Sequence, residues 1–218
     1  MMMQTTPFTA LTCAAAALLI LGCSNIDRAR DTANPGVTAK TLAEQVCSNC
    51  HGLTGNADSP NFPNLAGQIA AYTAGQLLAF KSHDRHDPPG FEYMWGLSRS
   101  LSQDQIEGLA AYYAAQAPAL QPREGSPGQV AAGRAIFETG LAAQSVPACM
   151  GCHGDKAQGQ ASFPRLAGQH ADYLVKQLQV FARTDDRPEG AMMRPVAHAL
   201  TAQDIRNVAA YLQAMPGL

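Results

Sequence analysis

Apolar and polar positions follow helical spacing in three segments of the chain, and the same three segments then return in the same order. Tyr72, Gln76, Leu77 and Phe80 place a helix over about 68–82; Tyr173, Gln177, Leu178 and Phe181 place its counterpart over about 169–183. A second pair spans about 102–117 and 201–215, opened by Ser102 and Thr201 as N-caps. A third, over about 38–46 and about 127–138, precedes them, the latter capped by Ser126. No segment keeps the two-residue period of a strand convincingly, so the expected fold class is all-α.

The recurrence extends to the letters themselves. Phe62-Pro63-Asn64-Leu65-Ala66-Gly67-Gln68 comes back as Phe163-Pro164-Arg165-Leu166-Ala167-Gly168-Gln169 at an offset of 101, and Ala110-Ala111-Tyr112 as Ala209-Ala210-Tyr211 at an offset of 99. The change of offset falls in the loops 81–93 and 182–192, where length is tolerated. This is a tandem duplication. It divides the chain into domains at 39–117 and 126–218, with a linker rich in Pro, Gly and Ala at 118–125. The second copy adds a loop, 139–148.

Ahead of the repeats, residues 11–21 form an apolar run too short to span a bilayer, followed by polar sequence. Residues 1–22 therefore read as an export signal. The run ends in Ile20-Leu21-Gly22-Cys23, which resembles a bacterial lipoprotein signal and makes Cys23 a candidate for acylation, although residues 1–7 lack the usual Lys or Arg. An ordinary secretory signal cut near the same place is the alternative. Residues 23–38 are polar and read as a tether.

Export changes the meaning of the cysteines. Cys13 and Cys23 belong to the leader region; the other four stand as Cys47-Ser48-Asn49-Cys50-His51 and Cys149-Met150-Gly151-Cys152-His153. In an exported chain, Cys-x-x-Cys-His is the attachment signature of c-type haem. Two thiols add to the two porphyrin vinyl groups and the adjacent His is placed beneath the iron as axial ligand. A disulfide within each pair would be strained and would leave both histidines unexplained. One zinc held by four thiols would need about 15–20 residues between the pairs, where this chain has 98. A thioredoxin-like site would need a strand–helix pattern that neither motif has. Two covalent haems, one per repeat, are the expected cofactors.

Composition fits this reading. Only 6% of residues are aromatic and 15% charged, against about 25% charged in ordinary globular chains; a porphyrin in each repeat would supply the aromatic core. The formal net charge of −2 excludes a nucleic-acid partner held by a general basic field. Residues 24–122 carry 6 basic and 9 acidic side chains and residues 123–218 carry 9 and 8, so the halves differ in sign, at −3 and +1. That asymmetry gives a dipole able to orient docking.

An electron-transfer haem needs a second axial ligand. Met94 lies seven residues before Leu101 and Met193 seven before Leu200, in matching positions of the loop ahead of each last helix. Met192 would break that register, Met150 lies inside its own attachment motif, and Met215 reads as core. His170 and His198 align with Ile69 and Arg99, so neither shares a role across the repeat; His83 and His86, in the first variable loop, read as solvated. Pro63 and Pro164 are candidates to place a backbone carbonyl against the free N–H of His51 and His153, with simple turn chemistry as the alternative. Tyr72 and Tyr173 could reach haem propionates, the domain interface or the core.

With these residues in hand, the chain from about residue 39 onward resembles the class I cytochrome c family, and within it the dihaem cytochrome c4 family. The resemblance rests on two Cys-x-x-Cys-His motifs, two F-P-x-L-A-G-Q segments, two loop methionines and two Ala-Ala-Tyr helices. It implies two packed helical domains, each wrapped around one His/Met-ligated haem, moving single electrons in the periplasm from a quinol–cytochrome c oxidoreductase toward a terminal oxidase or reductase. It also supports Met193 over Met192, because the second ligand in that family precedes an Arg, here Arg194. Two alternatives remain: a dedicated cytochrome subunit of a larger dehydrogenase or oxidase complex, and a dihaem peroxidase, against which the paired methionines argue.

Overall fold

The computed structural model describes Ile26 and residues 29–122 and 125–217. The export signal and Cys23 lie outside the described residues. Among those residues there is no strand, only the isolated bridges Leu141–Val146 and Gln160–Phe163, and no helix is long and apolar enough to cross a membrane.

In the first repeat, α1 covers residues 39–51: an α-helical Ala39–Leu42, a π-helical turn Ala43–Cys47, and an α-helical Ser48–His51. Thr38 caps it, its hydroxyl accepting the Thr41 N–H at 3.1 Å. The expected helix stopped short of the first cysteine, but the observed one runs through Cys47, Cys50 and His51. Nothing between residues 39 and 51 breaks it, and Gly52, at φ 75°, is the first residue able to turn out of the helix. The rest of the repeat is α2 (Ala70–Lys81), a short α3 over residues 90–98, and α4 (Gln103–Ala114).

The second repeat follows the same plan. It comprises α5 (Pro127–Thr139), α6 (Met150–His153), α7 (Ala171–Arg183), α8 (Met193–Ala199) and α9 (Ala202–Ala214). Ser102, Ser126 and Thr201 each close a reciprocal capping box with the residue three positions on. The inserted loop separates α5 from the Cys-x-x-Cys-His turn, so α5 and α6 correspond together to the single α1.

Two expectations are corrected. The methionine-bearing segments, expected as loops, are the short helices α3 and α8. The expected tether is not free along its whole length: Val37 is 1% exposed within the first core, and Gln105 Nε2 donates to the carbonyls of Asn34 and Val37, both at 2.9 Å. An apolar side chain next to a capped helix start gains more by burial than by solvation.

Each repeat closes by packing its first helix against its last. Leu42, Ala43, Ile106 and Leu109 form the first core; Ile136, Phe137, Val208 and Leu212 form the second. The α5–α9 crossing depends on Gly133, where a Cβ would lie 1.9 Å from the Asn207 carbonyl oxygen. In the first repeat the small residue sits on the other helix, Gly108 against the Cβ of Ala39. Gly133→Ala should therefore destabilise the folded protein by about 1–3 kcal/mol through backbone displacement. Gly75→Ala should stabilise it by about 0.5–1 kcal/mol, since Gly75 is exposed within α2, no atom lies within 4 Å of its Cβ position, and Lys176 fills the equivalent place. Shifts of the denaturation midpoint in opposite directions check both.

Candidate haem-binding sites

The local geometry of both Cys-x-x-Cys-His motifs is the same. Each lies on a turn of helix ended by a glycine of positive φ, Gly52 at 75° and Gly154 at 83°. A Cβ at Gly52 would sit 2.1 Å from the Asn56 carbonyl oxygen. The four thiols are unbridged, with Cys50 and Cys152 exposed and Cys47 and Cys149 half-buried. Burial pushes the Cys47 thiol above its ordinary pKa and Cys149 up to about 11. No group of three or more metal-ligating side chains occurs among the described residues, so the two cysteine pairs do not converge on one ion.

The two histidines are held identically. The Nδ1–H of His51 donates to the Pro63 carbonyl and that of His153 to the Pro164 carbonyl, both at 3.0 Å. A carbonyl can only accept, so Nδ1 carries the proton and the neutral ring presents its Nε2 lone pair. Burial lowers both histidine pKa values, against the smaller opposing effect of the carbonyl bond. Phe62 and Phe163 meet the rings edge-on, with centroids 6.2 and 6.0 Å apart. The Phe-Pro pair of each repeated segment thus orients the histidine of its own domain.

The rest of each segment joins the domains. Gln169 Oε1 accepts the Asn64 N–H at 2.8 Å while its Nε2 donates to the Asn64 carbonyl at 2.9 Å. Reciprocally, Gln68 Oε1 accepts the Arg165 N–H at 2.7 Å and its Nε2 donates to the Arg165 carbonyl at 3.1 Å. Beside this lies a buried polar cluster. Arg85 forms a bidentate pair with Asp87 at 2.6 and 3.1 Å, and Arg187 pairs with Glu189 at 2.9 Å. Both guanidiniums donate to both Gln76 and Gln177, and Arg187 also reaches the Tyr72 hydroxyl at 3.4 Å.

The remaining candidates are placed as follows. Met94 ends the π-helical turn of α3, and Met193 opens α8; both are half-buried, whereas Met192 is 71% exposed. His83 is not solvated as expected: it is half-buried and stacks on Phe91 and Trp95 at 4.9 and 4.8 Å. These aromatic side chains, eight and twelve residues further on in α3, cover its ring. His86 is exposed, and its backbone N–H donates to the Asp186 carbonyl across the repeats. His170 is buried, its Nε2 2.9 Å from the Ala57 carbonyl, and His198 is exposed.

The Cytochrome c family model matches residues 37–115 and again 130–216. Cytochrome c4 of Pseudomonas aeruginosa is 37% identical over 91% of this chain and 96% of its own. The chain belongs to the dihaem cytochrome c4 family. The solved structure of cytochrome c4 from Acidithiobacillus ferrooxidans, 40% identical, matches with a TM-score of 0.71 over 77% of this chain and 97% of that one. A thiosulfate dehydrogenase structure from Marichromatium purpuratum, 36% identical with a TM-score of 0.71, covers 82% of this chain and 40% of that chain.

As a cytochrome c4 the chain carries two covalent haem c groups, and its residues fit them. Each motif offers two thiols and a ring nitrogen, Nε2, that makes no hydrogen bond among the described residues. Arg165, 2% exposed, donates to the carbonyls of Ala66 and Ala167, has no ion-pair partner among the described residues and leaves its Nε unpartnered. Burial pushes its pKa down to about 10. A buried guanidinium of this kind suits an anionic group such as a haem propionate.

Sequence reasoning missed Arg85, Asp87, Arg187 and Glu189. The signal was present: Arg-x-Asp and Arg-x-Glu recur at an offset of 102, the same as His51 to His153, inside loops read as variable. Burial would raise the Asp87 carboxyl, but the Arg85 guanidinium, with Arg187 nearby, holds it below the ordinary carboxylate range. A depressed carboxylate contributes stability that is complete above the unfolded pKa near 4 and is lost as pH falls through the folded value. Asp87→Asn should thus cost about 3–5 kcal/mol at neutral pH and remove part of the acid-induced loss of stability. Denaturant titrations of both proteins from neutral pH to below pH 4 measure each effect.

Proposed function

We propose that this cytochrome is an exported electron carrier that moves single electrons between respiratory complexes, from a quinol–cytochrome c oxidoreductase toward a terminal oxidase or reductase, without performing substrate chemistry of its own. The observation that carries the reading is the duplicated histidine site, with Nδ1–H fixed on a proline carbonyl and Nε2 left free in both repeats. When bound, each haem supplies a one-electron Fe(II)/Fe(III) couple. The chain supplies the rest. Cys47 and Cys50 tether one group and Cys149 and Cys152 the other by thioether bonds, which hold each porphyrin in one register. His51 and His153 would bind the iron through Nε2, and Pro63 and Pro164 keep their rings from rotating.

Met94 and Met193 would each offer the iron a thioether sulfur as its second protein ligand. Their matched register and partial burial support the assignment, as does the exposure of Met192. Thioether ligation favours the reduced iron and raises the potential. The domains are assigned to 39–117 and 126–218, and the proposed location is the periplasm, with Cys23 as lipid anchor.

Denatured mature protein should retain two haem masses on one polypeptide. Met193→Leu should abolish the methionine–ferric charge-transfer band of one haem and lower that haem's potential. Met192→Leu should keep both bands and cost under about 1.5 kcal/mol of stability. The opposite pattern would reject the ligand assignment. Cys23→Ala should release the protein from membranes with its haem spectrum unchanged, because acylation by more than one chain is what makes such binding stable; a wild type that already fractionates as soluble rejects the anchor.

A second reading, a cytochrome dedicated to one dehydrogenase complex, is favoured by the likeness to the thiosulfate dehydrogenase structure. Co-purification of a dehydrogenase with the native protein, and failure of quinol–cytochrome c oxidoreductase to reduce it, would select that reading.

A further inference from the structure

The two glutamines that cross the domain interface end on the peptides that hold the proximal histidines. In the Pro63–Asn64 peptide, the carbonyl accepts His51 Nδ1–H at 3.0 Å, and the N–H of the same amide donates to Gln169 Oε1 at 2.8 Å. In the Pro164–Arg165 peptide, the carbonyl accepts His153 Nδ1–H at 3.0 Å, and its N–H donates to Gln68 Oε1 at 2.7 Å. An amide whose N–H is engaged by an acceptor carries more negative charge on its oxygen, so hydrogen bonds on its two sides strengthen each other. A more basic carbonyl draws the ring proton further and leaves the imidazole a stronger electron donor through Nε2.

From this crossed arrangement we infer that Gln68 and Gln169 are positioning residues acting across the interface: each lowers the reduction potential of the haem in the opposite domain. The inference rests on the two-haem reading with His51 and His153 as proximal ligands. Gln169 acts on the haem held by Cys47 and Cys50, and Gln68 on the haem held by Cys149 and Cys152. Each glutamine oxygen also accepts the N–H of the next residue in its own chain segment, Ile69 or His170, at 3.0 Å, which fixes its aim. The interface thereby links the electronic state of one domain to the packing of the other. Separation of the domains would raise both potentials.

The test is a haem-resolved redox titration by NMR of the full holoprotein and two near-isosteric variants, Gln169→Met and Gln68→Met. Gln169→Met should shift the one-electron equilibrium of the first-domain haem toward the reduced form about three- to tenfold, where tenfold corresponds to 59 mV. It should leave the second-domain haem within twofold. Gln68→Met should do the reverse. In the reduced protein the ring N–H signal of His51 should move only in Gln169→Met, and that of His153 only in Gln68→Met. A merely structural loosening of the interface would move both haems together, or the haem of the mutated domain. Either of those outcomes, or no shift, overturns the inference.

Hydrogen exchange in the unaltered protein gives a check that needs no variant. Slow exchange of the Asn64 and Arg165 amides is expected, and rapid exchange of both overturns the inference even if neither variant folds. Loss of a haem mass from the wild type would instead overturn the two-haem reading, so the two failures are distinguishable.

Discussion

A histidine ring presents a nitrogen in one fixed direction only if its other ring nitrogen is pinned, and here a single backbone carbonyl pins Nδ1 in each repeat. That demand organises much of the molecule. The carbonyl must come from a rigid point, which proline provides; the ring must be kept from tilting, which the preceding phenylalanine does; and the glycine after the histidine must leave the helix so that the chain can come back with that proline. The same short segment then continues into the glutamine that reaches the other domain. Histidine orientation and domain association are two consequences of one loop geometry.

Because the segment occurs twice, the association is reciprocal, the pattern of an isologous contact within one chain. Gln68 engages Arg165 as Gln169 engages Asn64. Gln76 and Gln177 likewise each serve both Arg85 and Arg187. Two guanidiniums brought this close repel one another, and burial makes the repulsion stronger; Asp87, Glu189 and the shared glutamine oxygens offset it. Such an interface tolerates few alternatives, since removing any one partner leaves a buried charge or amide unmet.

The duplication is not a copy in every detail. The second repeat interrupts its first helix with a loop, so its thiols sit at the start of and within the separate turn α6, Cys149 capping it and Cys152 inside it, and it carries Arg165 where the first carries Asn64. Asn64 donates to the Gly168 carbonyl and Arg165 to the Ala66 carbonyl, so both side chains cross, but only Arg165 brings a charge. The two sites share the geometry of their histidines and differ in their electrostatic surroundings.

What the sequence determined by itself is what local spacing encodes. Cys-x-x-Cys-His places its reactive atoms within one helical turn, Ser102, Ser126 and Thr201 need only the residue three positions on to close a cap, and helical period needs only its neighbours. Those features were legible with no knowledge of the fold, as was the duplication. Even the extension of α1 to His51 could have been drawn from the absence of a breaker before Gly52. Tertiary structure decided the rest. That the Pro63 carbonyl meets His51, that Val37 is core and not tether, and that His83 stacks under Phe91 and Trp95 all depend on how segments return on each other. The pairings of Gln68 with Arg165 and of Arg85 with Gln177 span about a hundred residues. An internal repeat cannot reveal them, because identical letters in two copies state what each copy is and not which face it turns toward the other.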